Sequence, residues 1–353
     1  MKKALKWVGI GVSIPILLFG LFVLSMVIAD FKPPEVTDLS VFPGKRAKEL
    51  TLGDTFALTT FNIGYCGLDK GRDFFMDGGL MSRSESHEKT LENCVSILDF
   101  IKAISPDILL IQEIDVKASR SWKLNQLERF RNALPEYNNV FALNYKVSWV
   151  PVPMKNPMGS VHSGLCTFSK YPFEHSRRLQ LPGKEDFPRQ LFVLDRCLLE
   201  TVIPMAEGKK LILINLHLSA YDKGGKVRKH QIKYVKDYIA EKYDENTYLI
   251  LGGDWNHLLS KKQLEEKRPD EVWPAWLVLL PDDFTPETFH WAVDESIWTW
   301  RDNDAPYVEG ENFVTVIDGF LLSPNIEVIS VKGHDLGFTN SDHNPVSAVL
   351  RFK

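Results

Sequence analysis

The chain opens on Lys2, Lys3 and Lys6, followed by an uncharged, mostly apolar run over residues 7–29 that Asp30 ends. A run of about 23 residues is long enough to cross a hydrocarbon core of about 30 Å at about 1.5 Å per helical residue. Lys32-Pro33-Pro34 then carries the chain away in extended form. A secretory signal has a shorter apolar core of about 7–15 residues, so residues 1–30 are expected to be an uncleaved anchor. Val27-Ile28-Ala29 offers a cleavage site for the alternative, a removed signal peptide and a secreted body. Lysines before the span predict a cytoplasmic N-terminus with the remainder outside the cytoplasm. No cysteine follows the run, which argues against a lipoprotein anchor.

Residues 31–54 read as a linker, and 55–353 as one domain, because no Gly/Ser-rich stretch divides them. Short apolar runs at 55–63, 108–112, 164–169, 191–202, 210–216, 247–252, 316–322 and 346–352 read as strands. Several are continuous, which predicts burial on both faces. Helices are expected at 84–105, 123–133 and 226–243. The first places Leu91, Cys94, Val95, Leu98 and Ile101 on one stripe, and Ser105-Pro106-Asp107 stops it. Strands interleaved with helices predict an α/β fold in which helices cover sheets.

Composition narrows the classes. Hydrophobic residues make up 44% and charged ones 25%, as in a globular rather than a disordered chain. Four widely spaced cysteines are no disulfide framework and read as buried thiols. Residues 1–30 carry three lysines and one aspartate, so the formal charge of −4 for the whole becomes −6 for the remainder. An acidic body is a poor non-specific binder of nucleic acid.

Polar residues recur at the ends of the apolar runs. Thr60-Phe61-Asn62 and Gln112-Glu113 end the first two. Asn215-Leu216-His217 ends another, Gly252-Gly253-Asp254-Trp255-Asn256 follows Leu249-Ile250-Leu251, Asp318 lies in the run at 316–322, and Ser341-Asp342-His343 precedes the last. Unpaired burial of such groups costs several kcal/mol, roughly 2–7 for a neutral one. Strand ends feed loops that converge on one face, where α/β enzymes place their sites.

This ordered set, over roughly residues 55–352, resembles the endonuclease/exonuclease/phosphatase superfamily of DNase-like metallophosphoesterases. The resemblance implies a four-layer sandwich of two mixed β-sheets flanked by helices. It implies metal-assisted in-line attack of water on a phosphodiester or phosphomonoester, with Glu113 as principal metal ligand helped by Asn62 and Asp342. Such oxygen donors suit Mg²⁺, with Mn²⁺ as a substitute, and no Cys/His cluster argues for zinc. It further implies that Asp254 activates the water, Asn256 holds a phosphate oxygen, and His217 and His343 donate to the phosphate. Asp318 would orient His343, and Tyr145 would touch phosphate.

Substrate class stays open at this stage. The anchor with an extracytoplasmic body argues against repair of genomic DNA. The segment 158–172, ending Ser169-Lys170-Tyr171-Pro172, is similar to one found in sphingomyelinase-like members, which brings a phospholipid head group into view. His162 is a candidate within it. Trp291, Trp298 and Trp300 beside Arg301 offer a lipid or base-stacking surface, or a core edge. Arg189 reads as a structural or phosphate-side ion pair, and the other histidines receive no role. The expectation is a membrane-anchored, monomeric phosphoesterase. An extracellular nuclease, which a basic stripe beside the site would favour, and a non-catalytic binding domain are the alternatives.

Overall fold

The computed structural model describes residues 2–45, 48–266 and 272–353. Along the chain run α1 (Lys2–Ala29), β1 (Val36–Asp38), β2 (Thr55–Asn62), α2 (His87–Ile104), β3 (Ile108–Asp115), α3 (Gln126–Ala133), β4 (Asn138–Val150) and β5 (Gly159–Ser169). Then come β6 (His175–Gln180), β7 (Cys197–Pro204), β8 (Lys210–His217), α4 (Lys226–Lys242), β9 (Thr247–Asp254) and α5 (Lys261–Glu265). The last elements are β10 (His290–Ala292), β11 (Trp300–Arg301), β12 (Val314–Thr315), β13 (Asp318–Leu322), β14 (Ile326–Gly333) and β15 (Val346–Phe352).

Two large mixed sheets result. One runs β1-β6-β7-β8-β9-β13-β10 and the other β14-β15-β2-β3-β5-β4, with β11 and β12 forming a small ribbon. Alternation along the strands explains the layering. Leu58, Leu110, Leu213, Ile250 and Phe320 point inward and fill the space between the sheets. Leu109 and Ile111 point outward against Cys94, Ile97 and Ile101 of α2 and Phe130 of α3. Ile212, Ile214, Leu249 and Leu251 point the other way onto Ile232, Val235 and Ile239 of α4. The order is helices, sheet, sheet, helix: the four-layer α/β sandwich expected.

Two parallel pairs orient the site. β2 runs parallel to β3, and β8 parallel to β9. β13 and β15 run antiparallel to their neighbours β9 and β2, so their starts lie where the other strands end. The sheets are tied together beneath this edge. The Gln112 amide donates to Asn215 Oδ1 at 2.8 Å, and Asn215 Nδ2 donates to the carbonyls of Ile111 and Cys166 at 3.1 Å each. The glycines of Gly252-Gly253 serve this packing. A Cβ on Gly252 would lie 2.4 Å from the Phe320 ring, and one on Gly253, at φ +141°, 2.0 Å from the Leu216 carbonyl.

Several expectations need correction. Residues 31–54 are no loose linker where they are described: β1 pairs with β6, and Phe42 bridges to Asn139. The run at 191–202 becomes strand only from Cys197, because Leu191 belongs to a short 3-10 turn that packs elsewhere. Val316 and Ile317 are buried but precede β13; their carbonyls accept from Leu259 and Trp255. All four cysteines are buried thiols.

Asn215→Ala removes the tie and leaves the two carbonyls without their donor. A buried polar group so stranded costs about 1–3 kcal/mol. The full chain in detergent should therefore unfold at a clearly lower urea concentration with an unchanged slope. An unaltered midpoint would show that the sheets are held by apolar packing alone.

Candidate active site

Eight of the nine side chains singled out for metal or catalytic roles line one cavity of about 580 Å³: Asn62, Glu113, Tyr145, His217, Asp254, Asn256, Asp342 and His343. The ninth, Asp318, stands behind His343.

Asp254 is the hub. Its Oδ2 accepts from Asn62 Nδ2 at 3.0 Å and lies 3.2 Å from His217 Nε2 and 3.7 Å from His343 Nε2. Its Oδ1 accepts from the Asn256 backbone at 2.9 Å. β9 pairs this residue in register with His217 on one side and Asp318 on the other. His343 Nδ1 donates to Asp318 Oδ2 at 2.8 Å, leaving Nε2 turned toward Asp254 and Asn62. Asp254, Asp318 and His343 thus form one tight buried group.

Burial shapes the electrostatics. It would hold His343 uncharged, but the Asp318 and Asp254 carboxylates overcome it and raise His343 to about 10. His217 goes the other way: burial first, then Arg196, His343 and Arg120, push it well below its ordinary value. Burial also raises Asp254, against the opposing effect of His343. One imidazole is therefore held charged and its neighbour neutral.

The second set lies on the other sheet. Glu113 sits on a bulge in β3, at φ +57°, where the register with β5 shifts. A bulge of this kind turns a side chain off the sheet face; here it brings the carboxylate to the cavity. Burial raises Glu113, Arg120 opposes it, and the nearby Asp342 raises it further. Asn62 Oδ1 accepts from the Gly64 backbone at 3.0 Å, and Asp342 Oδ2 from Asn303 Nδ2 at 3.0 Å. Gly64 is itself at φ +47°, and a Cβ there would lie 2.6 Å from Asp342 Oδ1. The chain leaves room only for hydrogen between these donors. Two carboxylates and an amide oxygen, crowded and partly desolvated, fit a hard divalent cation.

The remaining candidates are placed as follows. The Tyr145 hydroxyl donates to the Phe192 carbonyl at 2.9 Å, so it holds the cavity wall. His162 faces Lys146 across the β4–β5 ladder and is no part of the cavity lining. Arg189, as expected, forms an ion pair, with Glu185 at 3.8 Å; it lines the cavity and donates to the Tyr221 carbonyl at 2.8 Å. Trp300 is buried and meets Trp276 edge-on, and Trp291 likewise meets Trp255, so these two are core, while Trp298 is exposed.

The sequence reading missed two buried cations. Arg120 pairs with Asp115 at 3.1 Å and Glu113 at 3.3 Å and lies 3.9 Å over the Tyr65 ring. Arg196 donates to the His217 carbonyl at 3.2 Å and lines the cavity. Arg196 immediately precedes β7, which is antiparallel to β8; strand starts deserved the same scrutiny as strand ends. Asp77 was also missed: it accepts from the Tyr221 hydroxyl at 2.6 Å and from Asn303.

The model of the Endonuclease/Exonuclease/phosphatase family matches residues 60–343. No curated protein matches the chain. An endonuclease/exonuclease/phosphatase from Beutenbergia cavernae DSM 12333 is 17% identical with a TM-score of 0.57, covering 84% of this chain and 72% of that one. One from Bacteroides vulgatus is 19% identical with a TM-score of 0.53, over 85% of this chain and 100% of that one. TDP2 from D. rerio, complexed with a single strand DNA product, is 12% identical with a TM-score of 0.54, over 84% and 99%. These likenesses establish the fold.

Gly64→Ala forces a methyl group onto Asp342 and strains the backbone. Disturbing a partner of a ligand typically costs about 10–100-fold in metal affinity. Titration calorimetry with Mg²⁺ should show a loss in that range while the far-ultraviolet spectrum is retained. Wild-type affinity in the variant would remove Asp342 from the cation site.

Proposed function

The chain belongs to the endonuclease/exonuclease/phosphatase family, and we propose that it is a membrane-anchored phosphoesterase that depends on Mg²⁺, with Mn²⁺ able to substitute. The observation that carries this reading is the meeting in one cavity of the oxygen donors Asn62, Glu113 and Asp342 with Asp254, His217 and His343.

Each residue has a role that follows from its surroundings. Asp254, raised by burial, accepts a proton from the attacking water. The water oxygen forms the new bond to phosphorus opposite the leaving oxygen, which departs with its electron pair. His343, charged because of Asp318 and Asp254, donates Nε2–H to a phosphoryl oxygen as negative charge gathers there. His217 stays neutral and positions the phosphate, and Asn256 holds a non-bridging oxygen. Asn256 lies at φ +49° with its amide fixed on the Leu218 carbonyl at 2.7 Å. Glu113, Asn62 and Asp342 would hold a divalent cation, whose positive charge would offset the negative charge gathering on the phosphoryl group. Asp318 is a positioning residue, and Tyr145 supports the wall.

The anchor reading rests on residues Gly11–Ala29, whose mean hydropathy is 2.6 in a helix buried over only 6%. The lysines before it favour a cytoplasmic N-terminus and a catalytic domain outside. A second reading, an extracellular nuclease, has one observation in its favour. Lys229, Lys233 and Lys236 of α4 line a groove that shares Tyr221, Asp222 and Trp276 with the catalytic cavity. Lys233 and Lys236 are already paired with Asp237 and Asp283, which weakens the stripe.

Hydrolysis of bis(p-nitrophenyl) phosphate by the purified chain should stop with excess chelator and return with Mg²⁺ or Mn²⁺. Glu113→Ala should lose most of the activity and of the calorimetric Mg²⁺ signal. A variant fully active in chelator would sink the metal assignment.

His343→Ala and Asp318→Ala should damage the same step, each by about 10²–10⁴-fold if protonic assistance is lost. Because Asp318 acts through His343, the double variant should be little worse than His343→Ala alone. Multiplying losses would mean that the two act independently.

A further inference from the structure

The cavity is lined by two kinds of residue. Beside Glu113, Asp254 and His343 it carries an apolar set, Val150, Val152, Met158, Phe192 and Leu194, with Lys184 and Arg189 among its charged lining. It reaches Asp30, the residue that follows α1. The helix itself backs this wall. Phe22, Val23, Met26 and Val27 pack with Tyr145, Val150, Met158 and Leu191, and the Phe22 ring stacks on Phe192 at 6.1 Å. Just beyond the helix, Phe31 lies under the cations of Lys146 and Arg178, at 5.5 and 5.7 Å. The anchor is thus docked on the domain at the cavity.

Docking fixes a depth. A hydrocarbon core of about 30 Å takes about 20 helical residues. Counted from Trp7, the first residue past Lys6, the core ends near Met26. Phe22 then lies about 6 Å inside that boundary, and Phe192 is stacked against it. The apolar wall of the cavity therefore begins below the surface of the leaflet. Beside this wall, Met154 is 90% exposed and Phe187 62% exposed, side chains that water disfavours and a bilayer interface accepts.

We propose that the substrate is a phospholipid taken from the leaflet in which α1 ends, with its phosphate at Glu113 and Asp254 and an acyl chain along Val150, Met158 and Phe192. The proposal rests on the phosphoesterase reading and deepens it. A small soluble ester would leave that wall wetted. A polynucleotide would lay successive phosphates along Val150, Val152, Met158, Phe192 and Leu194, which offer them no partner; Lys184, Arg189 and Arg196 line the cavity too, and their pairing with a polynucleotide is the competing outcome of the test.

Two measurements on the full chain test this separately from catalysis. In the first, the chain is reconstituted in phosphatidylcholine vesicles doped with a phosphatidylcholine that carries a photoreactive diazirine on one acyl chain. Irradiation should label residues 150–158 and 187–194 as well as α1. Labelling confined to α1 would overturn the proposal even if the protein hydrolyses soluble esters. In the second, the detergent-solubilised chain is given dibutanoyl and dihexanoyl phosphatidylcholine and phosphatidylglycerol below their micellar concentrations. Two more methylenes entering the wall should raise kcat/KM about tenfold or more. A flat dependence on chain length, or single-stranded DNA cleaved in preference to every lipid, would also overturn it. Labelled walls with no hydrolysis of lipid, bis(p-nitrophenyl) phosphate or DNA would uphold the lipid site and sink the phosphoesterase reading instead.

Discussion

The hydrogen bond between Gln112 and Asn215 sets the geometry on which the site depends. Both amides are fully buried between sheets that meet largely through apolar side chains, with Asn62–Asp254 and Arg178–Leu143 as further polar ties. Apolar surfaces can slide; a buried amide cannot move off its partner without exposing an unmet donor or acceptor. Glu113 is the residue after Gln112, and His217 follows Asn215 by two. Fixing one pair of amides thus fixes the distance between the Glu113 side and the His217 side of the cavity. This junction of two sheets does what a catalytic site demands, holding groups from distant parts of the chain in a fixed arrangement.

Three strained residues stand around that junction. Tyr65, Glu113 and Asn256 all lie at positive φ, a conformation that costs a non-glycine residue on the order of 1–3 kcal/mol. Each adjoins a residue or is itself a residue that lines the cavity. The strain is sustained by what surrounds it: Tyr65 lies under Arg120, Glu113 is paired to the same guanidinium, and Asn256 is held on Leu218. Arg120 therefore does more than balance charge. It links an aromatic wall, a bulged carboxylate and the buried Asp115, and burial of so many charges is tolerable only because they are paired.

Much of this was legible in the sequence. Continuous apolar runs marked β2, β3, β8 and β9, and the polar residues ending them marked the edge where the site forms. Polar strands hid themselves. β6 reads His-Ser-Arg-Arg-Leu-Gln, yet Arg178 is buried, donating to the carbonyls of Leu143 and Asp195. β4 carries Asn138, Asn139 and Asn144, all buried, which masks its alternation. Opposite errors share the same origin. Residues 191–194 are apolar without being strand, because their partners are the cavity and the anchor helix and not a sheet. Hydrophobicity reports burial, and only its period reports secondary structure.

That last segment connects the two halves of the molecule. A loop that merely joined β6 to β7 would be polar, as connecting segments on a surface usually are. This one presents Leu191, Phe192 and Leu194, with Tyr145 donating its hydroxyl to the Phe192 carbonyl from inside the domain and Phe22 stacked on the Phe192 ring from the anchor. Arg196, two residues past Leu194, lines the same cavity beside His217. The chain from the α1 contact to His217 is therefore a short, packed path. A helix joined to the domain only by a flexible linker would need no such contacts. Docking the helix at the cavity orders side chains at an entropic cost, and what it gains is a fixed orientation of α1 against the cavity wall.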